Sequence, residues 1–296
     1  MVLHINAVDR GPAKEHVGSM RTVALPSGER VPALGLGTWH FGEDPALRSQ
    51  QIATLRRAVD LGVTLIDTAE MYGEGLAEEL IGEALSDRRD EVFLVSKVYP
   101  HNASFYQLPV ACANSLHRLE TDRIDLYLLH WRGSIPLHET VAAFRALQDA
   151  GKIRYWGVSN FDTDDMKELW KVRGGTAAAT DQILYNLTRR GPEWELLPWL
   201  RQHRIPVMAY SPIEQARLLK NRKLIGFAKR HGMTPANAAL AWLLANDDVI
   251  AIPKTSSPER LEEDVTALAI ELTAEQLAEL DKLFPPPDGP HPLEML

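Results

Sequence analysis

Four residues able to act together on a proton stand at or just beyond the ends of short apolar runs. Asp67 lies in the run 65–69, Lys97 in 92–98 and His130 at the end of 124–130, while Tyr72 follows Asp67 by five positions. Each has an ordinary structural use: Asp67 could cap a turn, Lys97 could reach solvent, and His130 could be a hydrogen-bonded core residue. At the ends of neighbouring parallel strands, however, they would point into one mouth. Asp67 and Lys97 would pair there, setting an ammonium beside the Tyr72 phenol. A free phenol titrates near ~10 and is a poor acid at neutral pH, and a neighbouring cation favours the phenolate and lowers that value. Tyr72 would then be a general acid, with His130 donating a hydrogen bond that turns a carbonyl oxygen toward it.

That geometry requires the apolar runs to be parallel strands. Eight of them, at 34–38, 65–69, 92–98, 124–130, 155–160, 182–186, 207–211 and 249–254, alternate with helical patterns. The helical patterns cover 50–61, 77–85, 110–119, 137–150, 164–172, 193–203, 224–230 with 235–245, and 258–267. Strand-length runs alternating with helices are the mark of βα repeats. Eight such units predict an α/β fold, a single (β/α)8 TIM barrel, with its chemistry at the C-terminal ends of the strands. Residues 126–129 are apolar on both faces, as a strand buried between barrel interior and outer helices must be. Before the first unit, 22–25 and 30–33 flank Pro26-Ser27-Gly28-Glu29, a hairpin that would cap the barrel's bottom. After the last unit, 273–283 reads as an extra C-terminal helix with Thr273 as N-cap. Pro285, Pro286, Pro287, Pro290 and Pro292 exclude a helix from 284–296. Residues 1–20 read as an N-terminal arm and 21–296 as the barrel.

The 296 residues are 45% hydrophobic and carry a formal net charge of -8. That length can bury a large core without cross-links, and the acidic balance argues against a nucleic-acid partner. The lone cysteine, Cys112, has no partner for an internal disulfide and reads as a small buried residue on a helix. No run approaches the ~18 apolar residues of a membrane span, and the first residues do not resemble a signal peptide. The expectation is a cytoplasmic monomer with neither nucleic-acid nor membrane partners.

Several familiar chemistries lack their motifs. The segment 35–39 has the wrong glycine spacing for a dinucleotide fingerprint, and neither a P-loop nor a Gly-x-Ser-x-Gly elbow occurs. His130 and His138 are eight residues apart with no partnered carboxylate motif, so no metal is expected. An anion site is legible instead. Lys254 ends the eighth run, Ser257 suits an N-cap and Pro258 the first helical position. Free N–H groups at that helix start, beside Lys254, Thr255 and Arg260, would suit a phosphate.

Beyond these physical readings, Gly62-Val63-Thr64-Leu65-Ile66-Asp67-Thr68-Ala69-Glu70-Met71-Tyr72-Gly73 resembles the first signature of the aldo-keto reductases. Leu94-Val95-Ser96-Lys97-Val98 is similar to their lysine strand, and Asp125-Leu126-Tyr127-Leu128-Leu129-His130-Trp131 to their histidine strand. Gly157-Val158-Ser159-Asn160 and Ile252-Pro253-Lys254-Thr255 resemble their cofactor-binding strands. The resemblance runs in order from about residue 23 to residue 284. It implies hydride transfer from NADPH to a small aldehyde or ketone, Tyr72 being the acid in reduction and the base in reverse. It also implies that Ser159, Asn160 and Gln182 bind the nicotinamide carboxamide and that Tyr210 stacks on its ring, with Ser211 in the same cofactor set. Lys254, Thr255 and Arg260 would hold the 2'-phosphate, and Glu263 and Asp264 would lie near adenine, where many members carry Asn in place of Asp264.

Trp39 and Trp131 match pocket positions of the family, and Tyr99 joins them as a candidate for an apolar wall. Trp156, Trp194 and Trp199 are expected to pack the barrel or its outer helices. With a short 212–221 segment and no long insertion, the chain is similar to compact bacterial members that reduce small aldehydes, including methylglyoxal and diketo sugar acids. A nicotinamide-nucleotide sensor on the same barrel is the rival reading, since a fold does not establish turnover. A hydrolase would need a water-activating carboxylate or a metal in the mouth, where Lys97 is expected to occupy Asp67.

Overall fold

The computed structural model describes residues 20–296; apart from Met20, the expected arm at 1–20 lies outside the described residues. The described chain opens with an antiparallel hairpin of β1 (Thr22–Ala24) and β2 (Arg30–Pro32), Val23 facing Val31. Arg21 pairs with Asp247 at 2.5 Å and ties this hairpin to the loop that leads into the last strand. The hairpin thus covers the end of the barrel where the strands begin.

Eight strands follow: β3 (Gly35–Gly37), β4 (Leu65–Asp67), β5 (Phe93–Val98), β6 (Ile124–Leu129), β7 (Ile153–Ser159), β8 (Asp181–Leu184), β9 (Val207–Tyr210) and β10 (Val249–Ile252). They pair in parallel in sequence order. Parallel bridges Leu34–Ala251 and Gly37–Lys254 join the first to the last, and Gly37 donates its N–H to the Pro253 carbonyl at 2.8 Å. The result is the predicted (β/α)8 barrel. At Gly157 a Cβ would lie 2.7 Å from the Thr180 carbonyl oxygen, so glycine is what lets β7 close onto β8.

The outer layer consists of α1 (Arg48–Asp60), α2 (Leu76–Leu85), α3 (Gln107–Arg118), α4 (Leu137–Asp149), α5 (Thr163–Lys171), α6 (Leu196–Gln202), α7 (Arg222–Arg230), α8 (Pro235–Leu244) and α9 (Pro258–Thr266), with α10 (Ala274–Leu283) added at the end. Capping boxes fix two of their starts. Asp162 and Asp165 close α5, and Thr273 with Gln276 closes α10, the cap the sequence predicts. Every residue of β5 and β6 is buried, because one face fills the barrel and the other lies beneath helices. Lys97 takes the inner face, while its neighbour Ser96 faces outward and donates to Glu78 of α2 at 2.6 Å.

Boundaries differ from the sequence reading where pairing or proline intervenes. β7 begins at Ile153 rather than 155 because Ile153 pairs with Ile124. α6 begins at Leu196 rather than 193, since Gly191–Glu193 forms a separate 3₁₀ turn started by Pro192. Trp156 is buried against Phe144 at 5.3 Å, and Trp199 meets Trp170 edge-on at 5.1 Å. Trp194 departs from its expected packing role: it is 44% exposed, on the irregular stretch before α6. Cys112 is buried on α3, and burial, reinforced by Glu78, pushes its thiol up to about 12, which leaves it an inert core residue. Among the described residues no helix is long and apolar enough to cross a membrane.

Candidate active site

The C-terminal ends of β4, β5 and β6 bring Asp67, Lys97 and His130 together, and the 3₁₀ turn Tyr72–Gly75 after β4 delivers Tyr72 to them. Lys97 is fully buried, and its ammonium donates to Asp67 Oδ2 at 2.8 Å, to the Thr68 carbonyl at 2.7 Å and to the Tyr72 hydroxyl at 3.2 Å. All three of its N–H donors are thereby used. Tyr72 accepts from Lys97, so its own hydrogen is left to donate elsewhere. Gln182 donates to the other Asp67 oxygen at 2.7 Å, and the carboxylate is satisfied on both sides.

The electrostatics correct one expectation. Burial holds the Tyr72 phenol above its ordinary value, aided by the Asp67 charge, and the opposing pull of Lys97 only reduces the rise. The net shift is therefore upward, not downward as the ammonium alone would dictate. Burial also works against the Lys97 ammonium, but Asp67 and Tyr72 outweigh it, so the amine titrates above its ordinary value. His130 is driven well below the usual histidine range by burial and then by Lys97. At neutral pH the mouth thus presents a neutral phenol, a charged amine and a neutral imidazole. The His130 ring lies edge-on to Tyr72, with ring centroids 6.0 Å apart, and its Nδ1 has no partner among the described residues.

The predicted nicotinamide set lies on the adjoining strand ends and is internally bonded. Ser159 donates to the Gln182 carbonyl at 2.8 Å, Asn160 Nδ2 donates to the His130 carbonyl at 3.1 Å, and the Tyr210 hydroxyl donates to Asn160 Oδ1 at 2.9 Å. Asn160 has φ +58°, a conformation that asparagine tolerates better than most residues. Gln182 turns its NH2 group to Asp67 and to the Met208 sulfur, so its amide oxygen is the atom left for a ligand. Ser211 has φ +49°, and its carbonyl accepts from Asn186 at 2.9 Å. Sequence reasoning passed over this last node, in which Asn186 and Arg189 both bond Glu214, at 2.8 Å each. In the sequence Asn186 only ends an apolar run, and nothing nearby signals Glu214.

At the eighth unit Ser257 caps α9, accepting from the Arg260 N–H at 3.3 Å, and Pro258 takes the first helical position. Thr255 is buried and accepts from the Ser257 N–H at 3.1 Å. Lys254 Nζ lies 5.7 Å from the centre of the Phe41 ring, its ammonium lowered by burial. Glu263 is half-buried, and the carboxyl of the buried Asp264 is pushed up to about 7 by burial and then by Glu263, against the pull of Arg260. Around the mouth Tyr99 meets Trp131 edge-on at 5.9 Å and Trp131 lies 5.0 Å from His130. Trp39, 39% exposed, lies tilted against His40, with ring centroids 4.0 Å apart. No cluster of three or more His, Cys, Asp or Glu among the described residues could hold a metal.

Barrel and site together define an oxidoreductase. Residues 33–284 match the aldo/keto reductase family profile, and the chain belongs to that family. It is 49% identical over 271 residues to the methylglyoxal reductase YeaE of Escherichia coli (strain K12), spanning 90% of this chain and 95% of that protein. It is 30% identical over 267 residues to the 9,11-endoperoxide prostaglandin H2 reductase of Trypanosoma cruzi, spanning 88% of this chain and 90% of that one. Among solved structures, an aldo/keto reductase from Klebsiella pneumoniae in complex with NADP and acetate superposes with a TM-score of 0.91 at 50% identity. That match covers 94% of this chain and 100% of the other.

Proposed function

We propose that this chain reduces small aldehydes and ketones, methylglyoxal among them, to alcohols with NADPH, as a cytoplasmic monomer. The observation that carries the reading is the Asp67–Lys97–Tyr72 chain, a buried ion pair leading to a half-buried phenol, whose one spare hydrogen is the Tyr72 O–H. The donor set also suits the cofactor. Lys254 and the exposed Arg260 form no ion pair with a carboxylate among the described residues, which leaves both charges for a phosphate. The Tyr210 ring, tethered through its hydroxyl to Asn160, offers a fixed face for a nicotinamide.

Bound NADPH supplies the hydride that reduces the carbonyl carbon. The protein's part is at the oxygen. His130, neutral at working pH, donates a hydrogen bond that orients the carbonyl. Tyr72 gives up its proton as negative charge grows on that oxygen, and the phenolate left behind stays hydrogen-bonded to Lys97. Charge stabilisation of this kind matters most where it forms, in a water-poor site with donors already in place. Asp67, held by Gln182, keeps Lys97 charged and aimed. A sensor would have no use for a proton chain with a free donor at its end.

The test is the initial rate of NADPH consumption with methylglyoxal, aliphatic and aromatic aldehydes and simple ketones. Saturable turnover with stoichiometric alcohol is expected, and binding of NADPH without turnover of any of them would overturn the proposal.

A further inference from the structure

Glu70 lies between Asp67 and Tyr72 yet takes no part in the proton chain, and it forms no ion pair among the described residues. Its Oε1 accepts from the Tyr99 N–H at 2.6 Å and from Asn102 Nδ2 at 3.1 Å. Its own N–H reaches the Lys97 carbonyl at 3.3 Å, and the Asn102 N–H donates to the Tyr99 carbonyl at 3.0 Å. One carboxylate oxygen therefore ties down both ends of the turn that follows β5. That turn carries Tyr99, which stacks on His101 at 4.8 Å and meets Trp131 edge-on. Pro100 of the same turn presses against the loop after β6: a Cβ at Gly133 would come within 2.5 Å of the Pro100 side chain. The loops after β5 and β6 are thus packed together, and Glu70 is their link to the loop that bears the acid.

We propose that Glu70 is a positioning residue that sets substrate selectivity, holding the Tyr99–Trp131 wall at a fixed distance from Tyr72 for carbonyl compounds with a flat apolar substituent, such as aromatic aldehydes. This rests on the reductase reading above. Hydrogen bonds to a carboxylate are stronger than neutral ones, and Glu70 makes two of them to a turn with few other ties to the acid's loop. Methylglyoxal is too small to lean on the wall and gains little from its placement.

The experiment compares Glu70→Ala, Glu70→Gln, Tyr99→Ala and the double variant Glu70→Ala/Tyr99→Ala with the wild type, using methylglyoxal and benzaldehyde. Glu70→Ala is expected to raise KM for benzaldehyde about tenfold, the scale of a lost charge-assisted hydrogen bond, while kcat and the pH profile with methylglyoxal stay put. Glu70→Gln keeps an acceptor oxygen and restores most of the lost affinity. In the Tyr99→Ala background Glu70→Ala should add nothing further, because the two act through the same wall. Additive losses, equal losses for both aldehydes, or a shifted pH profile would overturn the proposal. A wild type that turns over neither aldehyde counts against the reductase reading instead. Equilibrium binding of benzaldehyde then decides for Glu70, a Glu70→Ala variant that binds as tightly as wild type refuting it.

Discussion

Replacing Lys97 with Met separates what the buried pair does for catalysis from what it does for stability. The side chains of Lys97 and Asp67 are 0% and 3% exposed, and the Lys97–Asp67 contact is 2.8 Å. Removing the cation leaves one Asp67 oxygen and the Thr68 carbonyl without their donor, while Gln182 still holds the other oxygen. Breaking a buried ion pair from one side costs about 3–5 kcal/mol, because an uncompensated charge remains. The double variant Asp67→Asn/Lys97→Met removes both charges and should recover more than half of that loss, yet remain catalytically impaired, since Tyr72 still lacks its cation. The pH dependence gives a second check. Lys97 has a raised folded-state value, so its contribution is fully present below the ordinary lysine value, ~10.4, and is lost as pH rises through the folded value. The stability gap between wild type and Lys97→Met should therefore narrow as the solution is made more alkaline. Urea midpoints of the three proteins across alkaline pH, with turnover at neutral pH, carry the test. A double variant no more stable than the single one, or a gap that does not change with pH, would refute the reasoning.

Tyr72→Phe should lower kcat by about 10²–10⁴-fold, the usual worth of a positioned proton donor, and leave NADPH affinity nearly unchanged; wild-type turnover with hydride transfer rate-limiting would remove Tyr72 as the acid. Arg260→Ala should weaken NADPH about tenfold or more by the loss of a charge-assisted contact, with NADH much less affected. Fluorescence titration with both cofactors at fixed ionic strength decides it, and equal losses would assign Arg260 to the helix rather than the 2'-phosphate. Truncation after Phe284 removes Leu293, which packs on the core, and Glu294, which pairs with Arg189 beside Glu214. It should alter substrate selectivity more than cofactor affinity, and unchanged kinetics across an aldehyde panel would exclude the tail from the mouth.

The barrel was legible because its strands are short apolar runs in strict alternation with helices, and because a Lys or Asp at the end of such a run has few places to go but the mouth. Local rules also found the Ser257 cap, the Thr273 N-cap and the hairpin around Gly28. What stayed hidden depends on residues far apart in the chain. Gln182 reaches Asp67 across 115 positions, and neither residue signals the other. Glu70 reads as one more acid in a loop until β5 brings the Tyr99 N–H to it.

The direction of the Tyr72 shift was hidden for the same reason. A cation named in the sequence argues for a lowered phenol value, but burial is supplied by whatever packs around the ring, and burial wins. That outcome changes the part assigned to Lys97. A phenol brought down toward neutrality would spend part of its time already ionised and unable to donate. One held up by burial is fully protonated when the carbonyl arrives, and the ammonium at 3.2 Å matters only once the proton starts to leave. In the proposed mechanism Lys97 therefore acts on the charge that develops during the reaction rather than on the resting acid. The neutral imidazole of His130 follows the same logic, since burial and Lys97 together keep it from adding a second positive charge beside the acid.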